Sequence, residues 1–248
     1  GLRPVGTNPC RGLDRYPDRQ RERLLDSDEL QRLVTALTEC EQPKNRKGAK
    51  AVNWRAVACI RLLILTGARL GEILGLQWSW INWERGFARL PESKTGPKTI
   101  PLPPPALALL AAIRACRHDQ AAGKHVLPGE RPNAHYRAIQ KPWQRIRKLA
   151  GLSDLRIHDL RHCYASVAVA GGESLYMVGA ILGHRTTATT ERYAHLAHDT
   201  IAMAAGRTAG RLAELLGPCE GQVIDDHGPP KVQRDSFPVQ PHGVEDRV

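Results

Sequence analysis

The chain has 248 residues, enough for one large domain or two small ones, and its 42% hydrophobic content is ordinary for a packed core. Its formal charge of +11 is uneven: from Pro218 onward three basic residues face six acidic ones, so the tail carries −3 and the remainder +14, a footprint suited to a polyanion. No apolar run approaches the ~20 residues that span a bilayer, the first residues lack the apolar core of a signal peptide, and Cys10, Cys40, Cys59, Cys116, Cys163 and Cys219 form no CxxC pair; a cytoplasmic protein with reduced thiols is expected.

Residues 1–23, rich in Arg, Pro and Gly, read as an arm or interdomain linker. Asp26 and Glu29 have the spacing of a capping box, and Leu30, Leu33, Val34 and Leu37 mark one helical face. A second apolar helix is predicted from about Asn53 to Leu65. Thr66 and Gly67 interrupt it before a short helix that carries Arg69 and Glu72 on neighbouring turns. Phe87–Leu90 and Lys98–Leu102, flanking Gly96 and Pro97, predict a β-hairpin with Lys94 near its tip. Pro103 to Pro105 lead into a helix ending near Cys116. Pro132–Ala150 is predicted helical with a break near Pro142 and a C-cap at Gly151. Helices are predicted from about His158 to Gly171, from Leu175 to Leu182 and from Thr200 to Leu216, and the tail from 217 is expected to be disordered.

The chemistry-bearing residues concentrate in HDLRH, LGHRT and TTERYAHL, with GARLGE upstream. Phosphoryl transfer gathers negative charge on non-bridging oxygens, so these residue types suit it. Arginine meets two phosphate oxygens through a planar fork that stays charged. Imidazoles both donate and accept protons near neutral pH. A tyrosine with a free pKa of about 10 attacks only where a cationic site favours its phenolate. Arg161 lies three residues after His158, so both project from one face of a helix. His158 and His162 also have the i, i+4 spacing of a zinc-binding HExxH helix, but Asp159 stands in the second position and the glutamate is missing, so His162 is expected to pack or hydrogen-bond beneath the site. Tyr16, Tyr136, Tyr164 and Tyr176 are rivals to Tyr193, and Lys98 competes with Lys94 on one hairpin.

Together these boxes resemble the tyrosine recombinases, the phage integrase family, over roughly residues 24–216. TGARLGE is similar to the family's first arginine box, ESKTGPKTIPLP to its β-hairpin, and HDLRH, LGH and ERYAHL to its later boxes, all in family order. The resemblance implies a mainly α catalytic domain with a small antiparallel sheet. It makes Arg69, Lys94, His158, Arg161, His184 and the nucleophile Tyr193 the catalytic set, with Glu72 and His162 supporting it and Lys98 touching backbone phosphate nearby. The family often has an aspartate where Trp80 stands in LQWSWIN, a departure that touches no catalytic position.

The resemblance also implies site-specific recombination through a 3′-phosphotyrosyl link, without metal, ATP or other cofactor. The partner is double-stranded DNA, bound by a homotetramer on paired sites that can be monomeric without DNA, in a bacterial or phage-encoded, nucleoid-associated protein. The family's N-terminal clamp domain is missing from these residues, so a fragment is expected. Type IB topoisomerase activity and a DNA-binding remnant without catalysis are the alternatives.

Overall fold

The computed structural model describes residues 23–41, 51–91, 96–116, 123–184 and 186–216. The predicted arm, apart from Arg23, the hairpin tip with Lys94, and the tail from 217 lie outside the described residues. The chain divides into a unit ending at Ala204 and a second from Ala205, whose described part, to Leu216, is helical and exposed.

The first unit is mostly helical with one small sheet. Helix α1 spans Ser27–Glu41, opened by the reciprocal Asp26–Glu29 capping box, in which Glu29 N donates to Asp26 Oδ1 at 2.7 Å. Its buried stripe is Leu33, Ala36, Leu37 and Cys40. Val34, expected on that face, is 47% exposed, because the stripe that meets the core begins at Leu33 and lies one position round the helix.

Helix α2 (Trp54–Thr66) starts where the Asn53 side chain accepts from Arg55 N, and it is buried along most of its length against α3 (Leu70–Leu74), α4 (Pro104–Ala115) and α6 (Asp159–Ala170). A helix hydrophobic nearly all round is one that sits inside the core. It closes at Gly67 with φ +61°, a left-handed cap, and a Cβ there would stand 2.7 Å from the Tyr164 ring and 2.8 Å from Leu182 Cδ2.

The hairpin is part of a three-stranded antiparallel sheet ordered β1 (Ile81–Asn82), β2 (Phe87–Leu90), β3 (Lys98–Pro101). Ala88 pairs with Ile100, both facing the core, and Leu90 pairs with Lys98. The sequence pattern does not predict strand β1: two residues after a 3₁₀ turn at Trp78–Trp80 are too short for an alternation to show.

Helix α5 covers only Gln140–Leu149, shorter than the predicted Pro132–Ala150. Pro142 does not break it. The proline occupies the third helical position, where a backbone N–H has no intrahelical acceptor. Residues before it are used in bridges between Pro128 and His135 and between Gln77 and His125. Gly151, at φ +71°, follows the helix as expected, with Leu152 N donating back to Arg147 O at 2.7 Å.

Helix α6 packs on α2 and on α7 (Leu175–Leu182), which is capped by Ser174 and ends at Gly183. Helix α8 (Ala188–Glu191), a 3₁₀ turn at Ala194–Ala197 and α9 (His198–Leu216) complete the described chain. The main core gathers Leu33, Leu37, Ile60, Leu62, Ile73 and Leu110 with others around α2, while Ala165, Val169, Val178, Leu182 and Tyr193 form a smaller cluster between α6 and α7. Among the described residues no helix is long and apolar enough to cross a membrane.

Gly67→Ala tests the left-handed cap. It combines an unfavourable φ with overpacking against Tyr164 and Leu182, and is expected to lower the unfolding free energy by about 3 kcal/mol in urea denaturation.

Candidate active site

Arg69 is the residue before α3 rather than part of it, with extended backbone (φ −75°, ψ 148°). Its backbone N–H donates to Glu72 Oε2 at 2.9 Å, and its guanidinium donates to Glu72 Oε1 at 3.0 Å and to the Gly183 carbonyl at 3.5 Å. Glu72 therefore holds Arg69 from two sides. Lys98 Nζ reaches the same carboxylate at 2.8 Å, with only 7% of each side chain exposed.

Burial alone would raise the Glu72 carboxyl, but the Lys98 ammonium and the Arg69 donors outweigh it and hold the group below its ordinary range. Lys98 itself is lowered, because burial and the Arg161 and Arg69 charges outweigh what Glu72 returns. Lys98, expected to contact backbone phosphate near Lys94, runs inward from β3, with its stem against Gly183 and its ammonium bonded to Glu72.

Arg161 is the most deeply set cation of the group, 5% exposed on α6. Its Nη1 donates to the Gly67 carbonyl at 2.8 Å and its Nη2 to the Leu182 carbonyl at 2.7 Å. Both acceptors lie at helix C-termini, where the backbone dipole is negative. Burial, then repulsion from Arg69, pushes its pKa down to about 10, so it stays charged at neutral pH. Two of its five N–H donors are committed to these backbone carbonyls.

His184 follows the left-handed Gly183 (φ +67°), and its Nδ1 lies 2.7 Å from Thr190 Oγ1. Burial and the Arg161, Arg69 and Lys98 charges push it down to about 4, so the imidazole is neutral at pH 7. Thr190 is buried, and its carbonyl accepts from Tyr193 N at 3.0 Å, so one residue touches both His184 and the backbone of Tyr193. No sequence signal marks Thr190, since a threonine three residues before a tyrosine is common in any helix.

Tyr193 is 4% exposed, with its ring in the smaller core cluster. Burial raises its pKa, opposed by the Arg192 and Arg161 charges. Its hydroxyl is hydrogen-bonded to His162 Nδ1. His162 is pushed down to about 4, by burial first and then by Arg192 and His158. His158 adjoins the N-terminus of α6, lowered by burial and Arg161, with its ring edge-on to His162 at a centroid distance of 5.2 Å. The structure thus gathers Arg69, Glu72, Lys98, His158, Arg161, His162, His184 and Tyr193, while Lys94 lies outside the described residues. Among the described residues no group of three or more His, Cys, Asp or Glu side chains is placed to hold a metal ion.

This is a cationic site built around one buried tyrosine, on a helical fold with a three-stranded sheet. A profile of the phage integrase family matches residues 23–199, and the chain belongs to that family. Tyrosine recombinase XerC of Xanthomonas axonopodis pv. citri (strain 306) is 29% identical over 198 residues, covering 77% of this chain and 60% of the relative. The chain therefore spans about 60% of the length of that curated relative. The fold is shared with the catalytic domain of bacteriophage HP1 integrase (TM-score 0.51, 23% identity, 74% of this chain and 93% of the other). It is also shared with the XerH site-specific recombinase bound to palindromic difH substrate (TM-score 0.54, 22% identity, 73% of this chain and 52% of the other).

The two depressed imidazoles make stability depend on pH. A histidine whose folded pKa lies near 4 against an ordinary 6.5 binds more protons when unfolded, so folding is opposed increasingly as pH falls from 6.5 to 4 and unopposed above 6.5. Urea midpoints are expected to rise between those limits, and His184→Gln to flatten part of the rise. An unchanged slope would contradict a buried neutral His184.

Proposed function

We propose that this chain is the catalytic part of a site-specific tyrosine recombinase acting on double-stranded DNA. The observation that carries the reading is the Tyr193 hydroxyl, held against a neutral imidazole on the helix that presents Arg161. The family membership and the DNA-bound XerH neighbour support it.

In this reading the Tyr193 oxygen attacks a DNA phosphorus, the P–O5′ bond breaks, and a 3′-phosphotyrosyl link forms while a 5′-hydroxyl leaves. A partner strand's 5′-hydroxyl then attacks that phosphorus and expels the tyrosine, so the energy of the bond is conserved. Arg69, Arg161 and His184 stabilise charge on the non-bridging oxygens. Lys94 protonates the leaving 5′-oxygen, and a histidine of α6 takes the tyrosine's proton, a part the resemblance gives to His158. Lys98 contributes by neutralising Glu72 beside the arginine, and its positive charge adds to the field that draws the phosphate in.

The +14 charge outside the tail fits a polyanion partner, and affinity is expected to fall steeply with salt. Exchange between two duplexes requires four active tyrosines, so a homotetramer on paired sites is the working assembly, and the bacterial nucleoid or phage DNA is its place of action.

The test uses a random-sequence pool of nicked duplexes in EDTA, with covalent adducts resolved on a denaturing gel. The parent chain is expected to form an adduct and Tyr193→Phe none, while both shift DNA equally in a native gel. An adduct that persists in Tyr193→Phe would sink the assignment.

A further inference from the structure

We propose that His162 is the general base that takes the Tyr193 proton during strand cleavage and returns it during rejoining. The inference rests on the tyrosine recombinase reading and assigns within it a proton transfer that the resemblance gives to His158.

The geometry distinguishes the two histidines. His162 Nδ1 is the hydrogen-bond partner of the Tyr193 hydroxyl, whereas the His158 ring stands edge-on to His162 with its centroid 5.2 Å away. A base must lie within hydrogen-bond reach of the proton it abstracts, and His162 already does. Of the two groups in that contact the imidazole nitrogen is the stronger base and the phenol the stronger acid, so the hydroxyl donates and His162 carries its own proton on Nε2. Arg161 and His162 are neighbours on α6, which ties the base to the guanidinium fixed by the Gly67 and Leu182 carbonyls. Base and phosphate clamp are therefore carried by adjacent residues of one helix.

Burial, and then the charges facing His162, keep its ring neutral. Arg192, on the segment that carries Tyr193, together with His158 and Arg161 on its own helix, disfavours the imidazolium, and Asp159 alone among its neighbours favours it. The ring is neutral before DNA arrives. A phosphate bound at Arg161 brings negative charge to the same pocket, which favours the imidazolium as the proton comes across.

The step balances. The Tyr193 O–H bond breaks as Nδ1–H forms on His162, the phenolate oxygen forms the new bond to phosphorus, and the P–O5′ bond breaks with the leaving oxygen protonated from Lys94. On rejoining, the strand's 5′-hydroxyl gives its proton to Lys94, the P–O bond to Tyr193 breaks, and the imidazolium reprotonates the phenolate. His158 is left free to donate to the phosphate.

The experiment takes a duplex recovered as adduct from the random pool and prepares it in two forms, one ordinary and one with sulfur replacing the bridging 5′-oxygen. A thiolate leaves without protonation, so that substrate bypasses the acid and still needs the base. His162→Gln is expected to form adduct on the order of 10² to 10⁴ times more slowly on both substrates. Its native-gel affinity stays at the parent value. Added imidazole restores part of the rate to His162→Ala, a rescue that requires a folded chain.

Adduct formation by His162→Gln within about threefold of the parent would overturn the proposal, since a general base is worth far more than that. So would recovery of His162→Gln on the sulfur substrate, which would place the residue on the leaving-group side. An adduct in Tyr193→Phe would instead overturn the reading beneath it.

Discussion

The Arg161 guanidinium, bonded to the Gly67 and Leu182 carbonyls, is the interaction on which the rest of the site depends. It joins the C-terminus of α2 to that of α7 from a position on α6, so three helices meet at one buried charge. Without it two carbonyls would lie unpartnered in a closed space, at a cost of about 1–3 kcal/mol each. The left-handed caps at Gly67 and Gly183 turn the chain immediately afterwards, just ahead of Arg69 and His184, and Arg69 reaches the Gly183 carbonyl. The same local geometry that ends two helices therefore brings Arg69, Arg161 and His184 into one site.

The cations of the site, Arg69, Arg161 and Lys98, repel one another. Burial first, then nearby cationic charge, pushes His158, His162 and His184 down, with Glu72 as the carboxylate bonded to two of the cations. A fold that holds cations at close quarters carries a free-energy cost, and under the proposed function a phosphate bound there would relieve it. His162 and His184, pushed to about 4 by burial first and by cationic neighbours second, are neutral at pH 7.

Much of this is legible in the sequence where the determinants are local. The caps at Asp26, Asn53 and Gly171 place helix ends, and the ordered boxes place Arg69, His158, Arg161, His184 and Tyr193 in one site. The contact between His162 and Tyr193 is tertiary and is not legible. His162 and Tyr193 are 31 residues apart in the chain, and nothing in either segment encodes their meeting. Lys98 has the look of a solvated hairpin lysine, and only the approach of Gly183 and Glu72 draws it inward. Pro142 carries a breaker signal that its place in the first turn of α5 cancels.

The most direct measurement compares Arg161→Lys with the parent chain for urea stability and covalent adduct formation on the same nicked duplex. Lysine keeps the charge but cannot reach two carbonyls and a phosphate with one planar fork. The account predicts a loss of about 2 kcal/mol of unfolding free energy together with a fall in adduct formation on the order of 10²-fold. If either quantity stayed at the parent value, the claim that one buried guanidinium both closes the fold and prepares the site would be wrong.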